Sequence, residues 1–180
     1  MLENELKKEL KAVLDAGFAA RGMIDVVVRQ NNQPRQEGAS SGKSVYFYKI
    51  GTDHRYGSPQ RKDEWDLDNL QMMHTEKQKY ETTFQISTLY QATPTNITAI
   101  TAGDLANIAA AILQSDATIT AFRVKNVGVL RITEVRNQIF ENDKDQFESS
   151  ASFDVTLTHD VVDVTTTPTI ETVEFNVIRI

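Results

Sequence analysis

The residues of this chain that could do chemistry are few and scattered. Gly38-Ala39-Ser40-Ser41-Gly42-Lys43-Ser44 comes near the phosphate-cradling loop G-x-x-x-x-G-K-[ST], in which backbone amides and a lysine hold phosphate oxygens. Its glycines are separated by three residues, one fewer than the pattern demands. The flanks are inverted as well. A phosphate loop leaves a buried strand and opens a helix so that its amides point at the ligand, whereas here a long polar loop precedes and a strand-like run follows. The segment therefore reads as the tip of a hairpin, with a small nucleotide-binding enzyme as the rival. His54, His74 and His159 are too far apart in sequence to form a helix-borne metal pair. No G-x-S-x-G nucleophile elbow occurs, and with no cysteine there is no thiol nucleophile, thiolate zinc site or disulfide. Asp63-Glu64-Trp65-Asp66-Leu67-Asp68 and Glu141-Asn142-Asp143-Lys144-Asp145 are acidic enough to suggest calcium. Both lack the central glycine and closing glutamate of a calcium loop and read as solvated carboxylates. Asn96-Ile97-Thr98 fits a glycosylation acceptor, but no secretory signal precedes it, so the match reads as chance. Catalytic constellations are thin, and no residue stands out as catalytic or as a metal ligand.

Charge placement says more. From residue 29 to 62 seven basic side chains (Arg29, Arg35, Lys43, Lys49, Arg55, Arg61, Lys62) face only Glu37 and Asp53. Residues 63 to 76 then carry Asp63, Glu64, Asp66, Asp68 and Glu76 with no lysine or arginine. Two solvated loops of opposite sign are the plain reading. The sharper one is a head-to-tail subunit interface, in which different patches of one copy meet on its neighbour and opposite charge sets the register. The residues expected there are Arg35, Lys43, Arg55, Arg61 and Lys62 on one side and Asp63, Glu64, Trp65, Asp66 and Asp68 on the other. Met72 and Met73 add apolar contact beside Trp65.

The elements that must position these residues follow from periodicity. Leu2, Leu6, Leu10, Val13 and Leu14 lie on one stripe at helical spacing, and Gly17 reads as the C-cap. The run from Met23 to Arg29 is β-branched and reads as a strand, as does Ser44 to Ile50. With the polar loop 30–43 between them they suggest a long hairpin. Tyr56-Gly57-Ser58-Pro59 reads as a turn, and 53–79 as an extended charged loop. Tyr80 to Tyr90 reads as a strand with Phe84, Ile86 and Tyr90 on one face. Thr101-Ala102-Gly103-Asp104 has the form of a capping box ahead of the stripe Leu105, Ile108, Ala109, Ile112 and Leu113. From Thr118 onward the chain reads as β, over about 122–135, 151–159 and 172–180. Every threonine lies after residue 50, as a β-rich region favours.

Composition bounds the rest. At 180 residues with 40% hydrophobic and 24% charged side chains, the chain suits one domain (1–180) that buries about 70% of its extended-chain surface. No apolar run approaches the roughly 20 residues of a membrane helix. A net charge of -6 argues against general nucleic-acid binding, so the composition describes a soluble, intracellular protein. The fold class expected is α+β: a mostly antiparallel sheet with two helices packed on one face.

One stretch points further. Leu130-Arg131-Ile132-Thr133-Glu134-Val135, then Phe140-Glu141-Asn142-Asp143, Phe147-Glu148 and Ala151-Ser152-Phe153-Asp154-Val155 resembles the tail terminator or neck proteins of tailed bacteriophages. The layout of helix, strands, Ala-rich helix and closing β region is similar to theirs over nearly the whole chain. The resemblance implies a structural virion protein of the tail and neck, made in the host cytoplasm. It also implies a homo-oligomeric ring, usually a hexamer, that caps the tail tube and joins it to the head. Tube, sheath and neck proteins are the implied partners, and DNA passes without specific binding. The resemblance also implies no enzymatic activity and no cofactor, so not an enzyme, and no functional residue carries over from that family. Another head–tail connector or tail-tube component is the nearest alternative, and an α+β ligand-binding module a further one.

Overall fold

The protein is described by a computed structural model over residues 1–30, 42–90, 99–141 and 147–168, with the side chains of 138–141 and 147–149 left aside. The elements run α1 (Glu3–Ala19), β1 (Val27–Gln30), β2 (Ser44–Asp66), β3 (Gln71–Tyr90), α2 (Ala102–Leu113), α3 (Asp116–Val124), β4 (Val127–Ile132), β5 (Arg136–Glu141) and β6 (Phe147–Pro168). One sheet of order β1-β2-β3-β6-β4 forms, with β5 following β4 along the same edge of β6. All neighbours are antiparallel except β1 and β2, giving the expected α+β class.

The core lies between the helices and one face of the body of this sheet. Alternation puts Phe84, Ile86 and Thr88 of β3 opposite Val155, Phe153 and Ala151 of β6, all buried. Val45 and Phe47 of β2 continue that face. Leu6, Leu10, Val13, Leu14 and Phe18 of α1 and Leu105, Ala106, Ala109, Ile112 and Leu113 of α2 close over it. Leu2, at the start of the predicted stripe, stays exposed. The capping box of α2 forms: Thr101 Oγ1 accepts from Asp104 N–H at 3.1 Å, and Asp104 Oδ2 accepts from Thr101 N–H at 3.0 Å.

Several expectations are corrected. The strands on either side of 31–43 do not form a hairpin. They pair in parallel, Val27 opposite Ser44 and Val28 opposite Val45, so the chain crosses over between them. Gly17 is not a cap, because α1 continues to Ala19. Gly17 is where α1 and α2 approach, and a β-carbon there would sit 2.2 Å from Ile112 Cγ2. A third helix, α3, occupies residues read as β, because its run Thr118-Ile119-Thr120 is β-branched. Ser115 caps it by accepting from Thr118 N–H at 3.4 Å, and Phe122 anchors it in the core. Most of the loop 30–43, including Arg35 and the glycine-rich segment up to residue 41, lies outside the described residues, as does the β reading of 172–180.

The largest correction concerns 53–79. The segment is not a loop but the middle of a β2–β3 hairpin whose turn lies at 67–70. The Tyr56–Pro59 region is a bulge in β2, where the register shifts between Tyr56 and Gln60 and Gly57 takes φ +69°. A second bulge lies between Ile50 and His54, with Gly51 at φ +74°. No shift interrupts β3 against β6, which stay paired from Tyr90–Ser149 to Gln71–Pro168.

Candidate functional site

Beyond the helices β2, β3 and β6 continue together as a three-stranded arm. His159 is the last buried residue of β6, and Pro168 pairs with Gln71 beside the tip. At about 3.4 Å per residue the arm therefore extends roughly 30 Å past the core. Side chains there have solvent on both faces. On one face lie Arg61 and Glu76 (Nε–Oε1 2.8 Å), Asp63 and His74 (2.8 Å), and Trp65 over Met72. On the other lie the Lys62–Glu64 pair, Met73, Val162 and Val164. Asp66 closes the tip: it accepts from Asn69 Nδ2 (2.8 Å), Asp68 N–H (3.0 Å) and Asn69 N–H (3.3 Å). The Asn69 side chain first, and the turn amides with it, hold the Asp66 carboxyl below its usual pKa. Tyr56, Trp65, Leu67, Leu70, Val162 and Val164 are all exposed on this arm.

A polar cluster sits where the arm leaves the body. Lys49 Nζ lies 2.8 Å from Asp53 Oδ2 and 3.0 Å from Glu3 Oε2 of α1. The bulge between Ile50 and His54 brings Asp53 round to accept from Thr82 Oγ1 at 2.7 Å, and that hydroxyl is 3.0 Å from His159 Nε2. Burial works to raise the Asp53 pKa, but the hydrogen bonds from Lys49 and Thr82 outweigh it and hold the carboxyl low. Burial works to lower that of Lys49, and its two carboxylate partners raise it on balance. For His159 burial dominates, seconded by the N-terminal amine, and its pKa falls below the ordinary value. The imidazole stacks on Tyr80 (centroids 6.0 Å apart), and Arg55 lies over that ring at 5.8 Å. Such a set fixes the arm's base.

An open groove lies on the body, between α1 and β1. It encloses about 660 Å³ and is lined by Asn4, Lys7, Lys8, Lys11, Val28, Arg29, Gln30 and Phe47. Lys7 is paired with Glu3 and Lys11 with Asp15, while Lys8 makes no ion pair among the described residues. The sequence signal for this groove was present: the polar side of the α1 stripe carries the three lysines, and Arg29 ends the strand that follows.

Of the residues expected at an interface, Arg55, Arg61, Lys62, Asp63, Glu64, Trp65, Asp66 and Asp68 share the arm. Lys43 does not join them. It stands at the opposite end of β2, bound to Asp25 at 2.8 Å and lowering that carboxyl's pKa. Ser44 opens a strand there, not a helix, so the described flank is unlike a phosphate loop. The histidines lie apart, His54 near Glu81, His74 on Asp63 and Thr167, and His159 inside. Among the described residues no three His, Asp or Glu side chains converge as metal ligands. Among the described residues no single helix is long and apolar enough to cross a membrane.

Among solved structures, the sheath/tube terminator of PVC, an extracellular contractile injection system in its extended state, is similar at a TM-score of 0.39 and 14% identity. That match covers 95% of this chain and 62% of the terminator, so this chain spans less than two thirds of the terminator's length. No curated protein matches. A family model described as E217 gateway protein gp29 matches residues 5–169, the helical body and the whole arm together. The chain therefore belongs to the E217 gateway protein gp29 family.

Proposed function

We propose that the chain is a structural virion subunit that assembles with copies of itself into a ring at the head-proximal end of the tail, ends the growth of tube or sheath, and joins the tail to the neck. The observation that carries this reading is the arm. A three-stranded ribbon has no second layer of its own, yet Tyr56, Trp65, Leu67, Leu70, Val162 and Val164 are exposed on it. Apolar side chains gathered on one projection mark a surface that a partner covers. The family match supports a structural, non-enzymatic role. The net charge of -6 supports a lumen through which DNA passes without being held, since phosphate contacts with Lys and Arg supply most non-specific affinity. The partners proposed are neighbouring copies, tube and sheath proteins on one side and neck proteins on the other. The interface set Arg35, Lys43, Arg55, Arg61, Lys62, Asp63, Glu64, Trp65, Asp66 and Asp68 is proposed as part of these contacts.

Native mass spectrometry with negative-stain imaging tests the reading. A closed ring of about six copies that binds the ends of purified tail tubes is expected. A chain that stays monomeric at high concentration and in the presence of tubes would refute it.

A further inference from the structure

We propose that the arm tip of one copy docks into the groove between α1 and β1 of the next. The inference rests on the self-assembly reading above and names the contact that would build it. Within one chain the expected electrostatic partners of the acidic segment are already engaged: Arg61 pairs with Glu76 and Lys62 with Glu64. The acidic tip therefore needs another basic surface. The α1–β1 groove offers one: Lys8 stands there without an ion pair among the described residues, beside Arg29 and the paired Lys7 and Lys11, around a floor of Val28 and Phe47. The tip offers the complement: Trp65, Leu67 and Leu70 are exposed apolar groups set among Asp63, Asp66 and Asp68. Lys8 in the groove and Asp68 on the tip each make no ion pair among the described residues, leaving one charge of each sign to meet.

The fold forces this contact to be intermolecular. β1 ends the sheet on the body, whereas the tip stands beyond the core at the far end of β2. The continuously paired β3–β6 ribbon holds the tip away from its own groove. A contact between two different patches repeats around a closing ring, which is the heterologous arrangement. The indole and the two leucines are apolar groups that the Val28–Phe47 floor can cover, and opposite charges around an apolar centre give the register.

The chain has no cysteine and one tryptophan, Trp65, so two clean probes exist. Lys8→Cys and Asp68→Cys are prepared separately, mixed and oxidised. The expected result is a mixed disulfide dimer at least about fivefold in excess of either homodimer, formed only if the two positions approach within disulfide reach. Trp65 emission should shift to the blue on assembly and lose most of its quenching by acrylamide. Lys8→Glu should raise the concentration needed for assembly about tenfold, and adding Asp68→Lys should restore it. Rings of native size with no mixed disulfide and a freely quenched Trp65 would overturn the docking while leaving the ring intact. Absence of any assembly would refute the ring itself and the docking with it. If Lys8→Cys resists a thiol reagent in the isolated monomer, segment 31–41 covers the groove and the inference fails. If a Lys8→Cys/Asp68→Cys double variant closes within single chains, the tip reaches its own groove and the inference fails equally.

Discussion

Replacing Gly17 by alanine sets two well-known effects against each other. In an isolated helix the change stabilises by about 1 kcal/mol, because glycine carries more backbone entropy to lose. Gly17 lies inside α1, two residues before its end, so propensity alone predicts a gain. The packing predicts the reverse. A β-carbon at Gly17 would lie 2.2 Å from Ile112 Cγ2, 2.9 Å from Cγ1 and 3.1 Å from Cβ. These are contacts with the stem of a β-branched side chain that is itself fully buried, so no distal rotation relieves them. The helices must separate by about an ångström, or Ile112 must leave its well, and such overpacking costs about 1–3 kcal/mol. The net expectation is destabilisation by up to about 2 kcal/mol, with a melting temperature lower by up to roughly 8 °C for a chain of this length. Urea unfolding with linear extrapolation reads the first quantity directly. Ile112→Ala removes both contacting methyl-bearing branches. The double variant should therefore be more stable than the two single changes imply, by at least about 1 kcal/mol of coupling. A Gly17→Ala protein more stable than the parent, with additive behaviour alongside Ile112→Ala, would show that α1 and α2 do not meet there.

Two further outcomes follow from the same geometry. Thr101→Ala removes the side-chain cap and one half of the box at the start of α2, and unfolding curves should show a loss of about 1 kcal/mol. His159 titrates below its ordinary 6.5 in the folded protein because burial disfavours the charged ring. The unfolded chain therefore binds a proton first as pH falls through about 6.5, and the contribution of His159 to stability is complete above that pH and lost below it. His159→Gln should flatten the decline just below pH 6.5; an unchanged pH–stability profile would refute the assignment.

The elements that were legible in the sequence are those that bury one face. The α1 stripe, the capped α2 and the alternation of Phe153, Val155 and Leu157 are all visible in residue spacing because one side of each meets the core. The α2 capping box was readable for a different reason: it is a local exchange of hydrogen bonds within four residues. What escaped was exposed or non-local. The arm carries polar and charged residues on both faces, so it shows no period of two and passes for a loop. Gly17 has the type of a cap, and only Ile112, far along the chain, shows it to be a packing site. β1 and β2 carry no mark of parallel pairing, since strand direction depends on a connection rather than on side-chain type.

The functional surface divides in the same way. The sequence by itself determined the reversal of charge from 29–62 to 63–76, the absence of cysteine chemistry and the likeness to phage neck proteins. Only the tertiary structure decided that Arg61 and Lys62 are neutralised within their own arm, that Lys43 stands at the other end of β2, and that three helical lysines join Arg29 around one groove. Charge along a chain is a one-dimensional property, whereas the partner each charge meets is set by register and strand order, which long-range pairing alone can fix.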